Sequence, residues 1–344
     1  MTKIAIVTTQ VPFIYGGAEF LADSLRNKLI EFGYSAEVLK MPFKWYPTSA
    51  ILDHMLAAKC MRLINVDRVI ALKFPAYYIP HENKVLWLLH QFRQAYDLWD
   101  TPYQSIPESP DGVSLQRVIA KTDTETLGRA RKIYTISKTV SGRLRKFNGL
   151  ESEVLYPPLM DSHLFQAGEF GDYIFYPSRI SRSKRQCMAV EALRYTRTKV
   201  RLVIAGAPDN AEEMKLLHNA ISDAGVEDRV SILGRISQEE KAQWFTNALA
   251  TTYLPYDEDY GYVSLESFHS SKPIITFSDS GGTLEIVEDG LNGYVVPPQP
   301  CELAAVMDRL FADRTLAFRM GAAGREKLCS MRISWEQVIE SLTS

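Results

Sequence analysis

The residues best suited to chemistry in this chain are two carboxylates on either side of a glycine. Glu258 and Glu266 flank Gly261 in a segment that follows a predicted strand and begins a predicted helix. Carboxylates accept hydrogen bonds from hydroxyl groups, and the backbone amides at a helix start attract phosphate. We therefore expect both glutamates to accept from sugar or ribose hydroxyls, with the amides of Gly261, Tyr262 and Val263 close to a phosphate.

The same segment admits other interpretations. If it were helical throughout, Glu258 and Glu266 would lie roughly 12 Å apart along the axis, whereas the acid and base of a glycosidase are separated by about 5–5.5 or 6.5–9.5 Å. The run Asp257-Glu258-Asp259 is also an acid-x-acid triplet, whose oxygen ligands would suit Mg²⁺ or Mn²⁺. If the segment has no catalytic or binding role, it is a solvated acidic loop followed by a helix-capping glutamate.

Two cations, Arg179 and Lys184, follow the predicted strand Tyr173–Tyr176 and precede a helix. A departing diphosphate gains charge in the transition state, and fixed cations stabilise that state more than the ground state. Arginine can bind two phosphate oxygens at once, while lysine acts as a point charge. The alternative is a basic, solvated loop, and we expect the neighbouring Arg182 and Arg185 to be surface charges.

In the first half of the chain, Gly16 and Gly17 lie between a predicted strand and a helix, where glycine lets the backbone approach a ligand. They do not form the G-x-G-x-x-G pattern of nicotinamide-binding proteins. His90 follows the predicted strand Val85–Leu89 and is a candidate to polarise or hydrogen-bond a transferred sugar. A packing histidine and a plain glycine loop are the alternatives.

Strands and helices alternate along the chain, which predicts an α/β protein with parallel sheets wrapped by helices. Prolines and glycines near Tyr156-Pro157-Pro158 and Gly168–Asp172 interrupt the pattern and place a hinge within residues 157–172. We expect two doubly wound, Rossmann-like domains that face each other across a cleft, with ligands outside the carboxyl ends of the strands. The predicted strands are Lys3–Thr9, Ala36–Leu39, Arg68–Leu72, Val85–Leu89, Ile133–Ile136, Tyr173–Tyr176, Val200–Ala205, Val230–Leu233, Ala250–Leu254, Pro273–Thr276 and Tyr294–Val296. The predicted helices are Ala18–Phe32, Lys138–Phe147, Arg185–Arg194, Ala211–Ala224, Gln238–Thr246, Val263–Ser270 and Thr283–Glu288.

The composition of the 344-residue chain is that of an ordinary globular protein, with 46% hydrophobic and 23% charged residues. A net charge of −2 offers no basic excess for nucleic acid. The four cysteines form no C-x-x-C pair, which argues against zinc and redox sites. The first residues lack the pattern of a secretory signal, and no stretch of the sequence approaches 18 consecutive apolar residues. We therefore expect a cytoplasmic protein.

Aromatic clusters in residues 42–47 and 74–103 suit core packing, sugar stacking or peripheral contact with the inner face of the cell membrane.

Together these segments resemble the retaining family-4 glycosyltransferases (glycosyl transferases group 1) of the GT-B fold. The resemblance is patchy but spans nearly the whole chain, and it depends on the order and spacing of the segments. They are Gly16-Gly17-Ala18-Glu19, Ile136-Ser137, Arg179 with Lys184, Val230–Gly234 with Gln238–Thr246, Glu258 with Glu266, Ser280-Gly281-Gly282-Thr283-Leu284-Glu285 and Asn292-Gly293-Tyr294-Val295-Val296.

The resemblance implies a role for each matching residue. Arg179 and Lys184 would bind the diphosphate of a nucleotide-sugar donor, Glu258 the donor sugar and Glu266 the ribose. Further contacts would come from the positions Gly16, Gly17, His90, Arg235, Ile236, Gly261, Tyr262 and Val263. Arg235 and Ile236 would line the base, and the residues of the first domain would approach the sugar.

The resemblance also implies an activity and a domain plan. The donor would be a UDP- or GDP-sugar, the acceptor a glycan or lipid-linked molecule, and the pathway surface polysaccharide synthesis. Retention needs no enzyme nucleophile in this family, and neither a metal nor another cofactor is expected. Residues 1–160 would bind the acceptor and residues 161–330 the donor, while residues 331–344 would return to the first domain. A nucleotide-sugar epimerase of the same fold and a non-catalytic nucleotide-sugar-binding subunit stay open as alternatives.

Overall fold

The structure, a computed structural model, describes the whole chain from Met1 to Ser344. The chain folds into two compact units. The first comprises Met1–Met160 together with Ile333–Ser344, and the second comprises Asp161–Arg332.

Twelve strands and eleven α-helices make up the two units. The strands are β1 (Lys3–Gln10), β2 (Ser35–Pro42), β3 (Arg68–Lys73), β4 (Lys84–His90), β5 (Lys132–Thr135), β6 (Glu153–Val154), β7 (Tyr173–Pro177), β8 (Arg201–Ala205), β9 (Val230–Gly234), β10 (Ala250–Thr252), β11 (Ile274–Phe277) and β12 (Gly293–Val296). The helices are α1 (Gly17–Glu31), α2 (Ala50–Cys60), α3 (Pro110–Leu127), α4 (Lys138–Asn148), α5 (Gln186–Leu193), α6 (Ala211–Ala224), α7 (Gln238–Asn247), α8 (Tyr262–His269), α9 (Pro300–Ala312), α10 (Arg314–Met331) and α11 (Trp335–Thr343).

Each unit contains one six-stranded sheet whose strand pairs are all parallel. The strand order is β2-β1-β3-β4-β5-β6 in the first unit and β12-β11-β10-β7-β8-β9 in the second. Parallel sheets covered by helices on both faces bury their strands fully, and the apolar residues of β4 and β7 are accordingly buried. The sequence prediction of two doubly wound α/β units is therefore confirmed.

The last helix, α11, belongs to the first unit. Arg68 of β3 donates a hydrogen bond of 2.9 Å to the carbonyl of Leu342. Trp335 packs edge to face against the buried Trp87 of β4, with ring centroids 6.4 Å apart. None of the helices in the structure combines the length and the apolar character that crossing a bilayer would require.

Most of the aromatic residues in the stretch 74–103 pack in the core of the first unit. Asp123 of α3 is fully buried and accepts hydrogen bonds from the hydroxyls of Tyr77, Tyr78 and Tyr96 at 2.8, 2.5 and 2.6 Å. Burial raises the pKa of Asp123 to about 6, while the three hydroxyl donors lower it. Trp45, from the other aromatic cluster, is exposed. Core packing is thus the observed role of the longer cluster.

Three kinds of element depart from the sequence prediction. The helices α2, α3, α9 and α10 and the short strand β6 were not predicted. The predicted helix Thr283–Glu288 is only a 3₁₀ turn at Gly282–Glu285. The turn follows Gly281, whose positive φ of 60° sets the backbone on a path that an α-helix does not take.

Candidate functional site

The second sheet reverses its winding direction between β7 and β10. These two strands are neighbours at the centre of the sheet, with β8 and β9 on one side and β11 and β12 on the other. In open α/β sheets, ligands bind outside the carboxyl ends of the strands at such a switch point. The loops that leave β7 and β10 carry Lys184 and Glu258, so two candidate residues from distant parts of the sequence lie at the expected position.

Lys184, Tyr253 and Glu258 form one hydrogen-bonded cluster. The Lys184 ammonium makes an ion pair with Glu258 Oε2 and donates a hydrogen bond of 2.9 Å to the Tyr253 hydroxyl. That hydroxyl donates in turn to Glu258 Oε2 at 3.0 Å. The side chains of Lys184 and Glu258 are 14% and 19% exposed. Burial, followed by the charge of Glu258, raises the pKa of Tyr253 well above its usual value, so this phenol stays a neutral donor.

Arg179 lies in the same β7–α5 loop but makes a different contact. Its guanidinium is exposed and pairs with Asp209, a residue of the loop that follows β8. The buried side chain of Gln186 donates 2.7 Å to the Arg179 carbonyl and fixes the loop from beneath. The structure therefore does not bring Arg179 into the cluster of Lys184. Each of these two cations is instead paired with its own carboxylate, Arg179 with Asp209 and Lys184 with Glu258.

One expectation for this loop is confirmed and the other is wrong. Arg182 is a surface charge, since its side chain is 68% exposed and pairs with Glu213 at 3.4 Å. Arg185 is buried, although the sequence analysis assigned it to the surface. Its guanidinium donates to the carbonyls of Leu254 and Pro255 at 2.6 Å and to both carboxylate oxygens of Asp279. The backbone carbonyls in the segment after β10 need donors, and Arg185 supplies them.

Gly261 gives the helix α8 its start. Its φ of +84° lies in the left-handed region that favours glycine. A Cβ at this position would lie 2.8 Å from Thr283 Oγ1, so the loop also passes too close to its neighbour for a side chain. Tyr262 and Val263 form the first turn of α8, where backbone amides have no acceptor within the helix. Free amides in a first turn are the donors from which a phosphate at a helix start accepts.

Glu266 lies one turn further along α8 and is buried, with 4% of its surface exposed. Lys241 of α7 donates to Glu266 Oε1 at 2.5 Å. The second oxygen, Oε2, is buried and accepts from no protein group. Such an orphaned acceptor is costly unless a donor reaches it, which is the property expected of a ligand-binding carboxylate.

Arg235 and Ile236 follow β9, where the sequence analysis placed contacts to a base. Arg235 is exposed and Ile236 is half-buried. The helix α7 begins directly after them with a capping box, in which Ser237 and Glu240 each accept from the other's backbone amide. This fixed helix start determines the direction of the loop and also positions Lys241.

In the first unit, Gly16 caps α1 and Gly17 is its first residue. Glu19 holds this loop, because its carboxylate accepts from the Gly16 amide at 2.9 Å and pairs with Lys73 at 3.0 Å. His90 is the last residue of β4 and is half-buried, with Nδ1 at 2.5 Å from the Gln91 carbonyl. These residues all follow carboxyl ends of strands in their own sheet.

The sequence analysis did not single out Tyr253, Asp209, Gln186 or Lys241. Tyr253 follows β10 directly and Asp209 lies in the loop after β8, so position near a strand end could have identified them. Gln186 and Lys241 lie on helices and had no comparable signal. The structure contains no group of three or more histidine, cysteine, aspartate or glutamate side chains arranged for a metal ion.

Replacing Gly206 with alanine is expected to disturb the candidate site through the backbone. A Cβ on Gly206 would lie 2.0 Å from the Ser178 carbonyl oxygen, and its φ of +152° disfavours other residues. The loop of Arg179 would have to move, which should cost at least about 1 kcal/mol of unfolding free energy. Urea unfolding measures this cost, with Gly142→Ala as the control, since a Cβ there meets nothing within 4 Å. Equal stability of the Gly206→Ala variant and the wild type would contradict the assigned close contact.

Residues 165–327 match one family model, which is described as glycosyl transferases group 1. The chain is 30% identical over 135 residues to an alpha-1,3/1,6-mannosyltransferase of Dictyostelium discoideum, covering 38% of this chain and 32% of that protein. It is 26% identical over 171 residues to a D-inositol 3-phosphate glycosyltransferase of Xylanimonas cellulosilytica, covering 49% and 40%. The chain thus spans about a third to two fifths of the length of these relatives.

Solved structures resemble the chain over nearly its whole length. Sucrose-phosphate synthase from Thermosynechococcus elongatus superposes with a TM-score of 0.81 at 15% identity, covering 99% of this chain and 97% of that one. Anabaena HepE in complex with UDP and glucose superposes with a TM-score of 0.73 at 19% identity, covering all of both chains. At such low identities the likeness shows the fold, which is the GT-B fold.

Proposed function

We propose that this chain, whose residues 165–327 match the family model of the group 1 glycosyl transferases, transfers a sugar from a nucleoside diphosphate sugar to an acceptor hydroxyl. The cluster of Lys184, Tyr253 and Glu258 at the switch point of the second sheet is the observation that carries this proposal. It combines a cation for a leaving diphosphate with a carboxylate for sugar hydroxyls.

In the proposed mechanism, the donor separates the ion pair of the cluster. Lys184 binds the diphosphate, whose charge grows as the glycosidic bond breaks, and Glu258 accepts from hydroxyls of the transferred sugar. The first-turn amides of Tyr262 and Val263 add fixed dipoles directed at phosphate. Arg179 exchanges Asp209 for the diphosphate in the same way. Positive groups placed before the reaction need no reorganisation as charge develops.

We propose that the reaction retains the anomeric configuration and uses no metal ion. A carboxylate that keeps the hydrogen bond from Tyr253 and also accepts from hydroxyls of the transferred sugar is a weakened nucleophile, so Glu258 suits sugar binding better than covalent catalysis. The departing phosphate then deprotonates the acceptor hydroxyl on the face that it leaves. Lys184, Arg179 and the amides of α8 supply the positive charge that a metal would otherwise contribute.

The proposal assigns substrates to the two units. The second unit would bind the donor, with Arg235 and Ile236 lining the base and Glu266 accepting from the ribose. The first unit would bind a glycan or lipid-linked acceptor, with Gly16, Gly17 and His90 closest to the sugar. The Anabaena neighbour was crystallised with UDP and glucose, which supports UDP as one candidate nucleotide alongside GDP.

The proposed setting is surface polysaccharide synthesis at the inner face of a membrane. The first unit exposes several large apolar side chains that a membrane interface could take up, among them Phe13, Ile14, Trp45, Tyr46 and Leu56. Aromatic residues suit such an interface because one end of the side chain is apolar and the other is polar. A lipid-linked acceptor would be reached from this position.

A binding panel tests the proposed donor. The melting temperature is measured with UDP, GDP, ADP and dTDP, and one diphosphate is expected to raise it. A ligand at 100 times its Kd adds about 2.7 kcal/mol to the unfolding free energy of the unit that binds it. Release of nucleoside diphosphate from the matching sugar donor then reports turnover. A chain whose melting temperature responds to none of the four diphosphates would contradict the proposal.

A further inference from the structure

The ion pair between Lys241 and Glu266 leaves one carboxylate oxygen for a ligand. Lys241 Nζ lies 2.5 Å from Glu266 Oε1, while no protein group donates to the buried Oε2. The two side chains are 22% and 5% exposed. A buried carboxylate is costly without a cation, so Lys241 accounts for the charge of Glu266 but leaves its Oε2 without a donor.

A second buried polar group near Glu266 also lacks a partner. The hydroxyl of Tyr262, four residues earlier on α8, makes no hydrogen bond within the protein. Burial raises the pKa of Tyr262, and the negative charge of Glu266 raises it further. Neighbouring residues at this spacing lie on the same face of a helix. A ligand with paired hydroxyl groups could donate to the carboxylate and reach the phenol.

We propose that Lys241 is a positioning residue that fixes Glu266 so that only Oε2 faces the vicinal hydroxyls of the donor's ribose. This inference rests on the proposed function and deepens it. With Oε1 bound to a cation from α7, the carboxylate cannot rotate to offer its other oxygen, and its orientation is set before the nucleotide arrives. Preorganised acceptors of this kind increase affinity because little ordering is left for the binding step.

The position of Lys241 in the fold supports this role. It lies on the first turn of α7, directly after the capping box of Ser237 and Glu240 and the loop of Arg235 and Ile236. The loop that would line the base and the side chain that orients the ribose acceptor therefore start from one rigid helix end.

Ribose discrimination tests the inference. The Kd values of UDP and GDP are compared with those of their 2′,3′-dideoxy counterparts by isothermal titration in the full chain. The wild type is expected to bind one ribonucleotide at least tenfold more tightly than its dideoxy form. Lys241→Met should reduce that preference to below threefold and leave the Kd of the dideoxy form within twofold. Lys241→Arg keeps the cation and should restore the preference, and Gln243→Met is the control at an exposed position of the same helix.

A double-variant cycle keeps the test decisive if Lys241→Met folds poorly. Glu266→Gln removes the buried charge that Lys241 balances, so the double variant needs no cation to fold. Both Glu266→Gln and the double variant should show the same weak ribose preference, because Lys241 acts only through Glu266. A further loss on adding Lys241→Met to Glu266→Gln would overturn the inference, as would an unchanged ribose preference in Lys241→Met.

The same measurements separate this inference from the proposed function. Failure of the wild type to bind any of UDP, GDP, ADP and dTDP overturns both. Tight binding of one nucleotide, with turnover of its sugar donor but without any ribose preference, overturns the role of Lys241 and leaves the transferase proposal intact.

Discussion

Lys184→Ala is expected to reduce the rate of sugar transfer by about 10²–10³-fold, which is the usual loss when a preorganised group that stabilises transition-state charge is removed. The loss should appear in kcat more than in KM, because the diphosphate gains its charge as the glycosidic bond breaks. Release of nucleoside diphosphate from the sugar donor measures it. The melting temperature and circular dichroism of the variant establish that it folds.

Arg182→Ala is the matched control for this prediction. Both residues lie on the 3₁₀ turn Arg182–Lys184 and both are cations, but Arg182 is exposed and pairs with Glu213, whereas Lys184 pairs with Glu258. Removing an exposed charge from the same turn should leave kcat within about twofold, since exposed ion pairs contribute little. Full activity in a folded Lys184→Ala protein would refute the assigned role, and an equal loss in Arg182→Ala would show that the turn acts through its net charge alone.

The fold was accessible from the sequence because parallel strands buried on both faces produce apolar runs that stand out between polar helices. Ala211–Ala224 was predicted to the residue, with a helix N-cap at Asn210 and a glycine after its end. The helix α3 was missed because a charged residue occupies its core face. It buries Leu115, Ile119, Asp123 and Leu127, and Asp123 is tolerated there only because three tyrosines donate to it.

The candidate site was accessible where chemistry and strand ends coincide. Lys184 and Glu258 lie in the loops that leave β7 and β10, so parallel topology alone brings these loops together. Lys241 was missed because a lysine on a polar helix looks like a solvated charge, and only the buried Glu266 opposite gives it a function. Arg185 was also misassigned to the surface, because its partners are two backbone carbonyls and the distant Asp279, which no local sequence pattern reveals.

Arg185→Met is expected to destabilise the second unit by about 2–4 kcal/mol. The guanidinium is 8% exposed and makes four hydrogen bonds to Leu254, Pro255 and Asp279. Methionine fills similar space but leaves two carbonyls and a carboxylate without their donor, and each lost partner of a buried group costs about 1–3 kcal/mol. The side chain of Asp279 is 34% exposed, so water compensates part of its loss.

Urea unfolding of Arg185→Met measures this loss, with Arg182→Met as the exposed control at about 0.5 kcal/mol or less. Arg185 has a φ of +59°, a left-handed conformation that costs energy in a residue other than glycine. This strained conformation between the Lys184 turn and α5 is explained if the guanidinium ties the turn to the ends of β10 and β11.

Arg185→Met should therefore also lower kcat, whereas Arg182→Met should not. Lys184 directly precedes Arg185 and takes its position from the same anchor. A variant as stable as the wild type would show that the carbonyls find other donors and that the turn is held by the Tyr176 hydroxyl and the backbone alone.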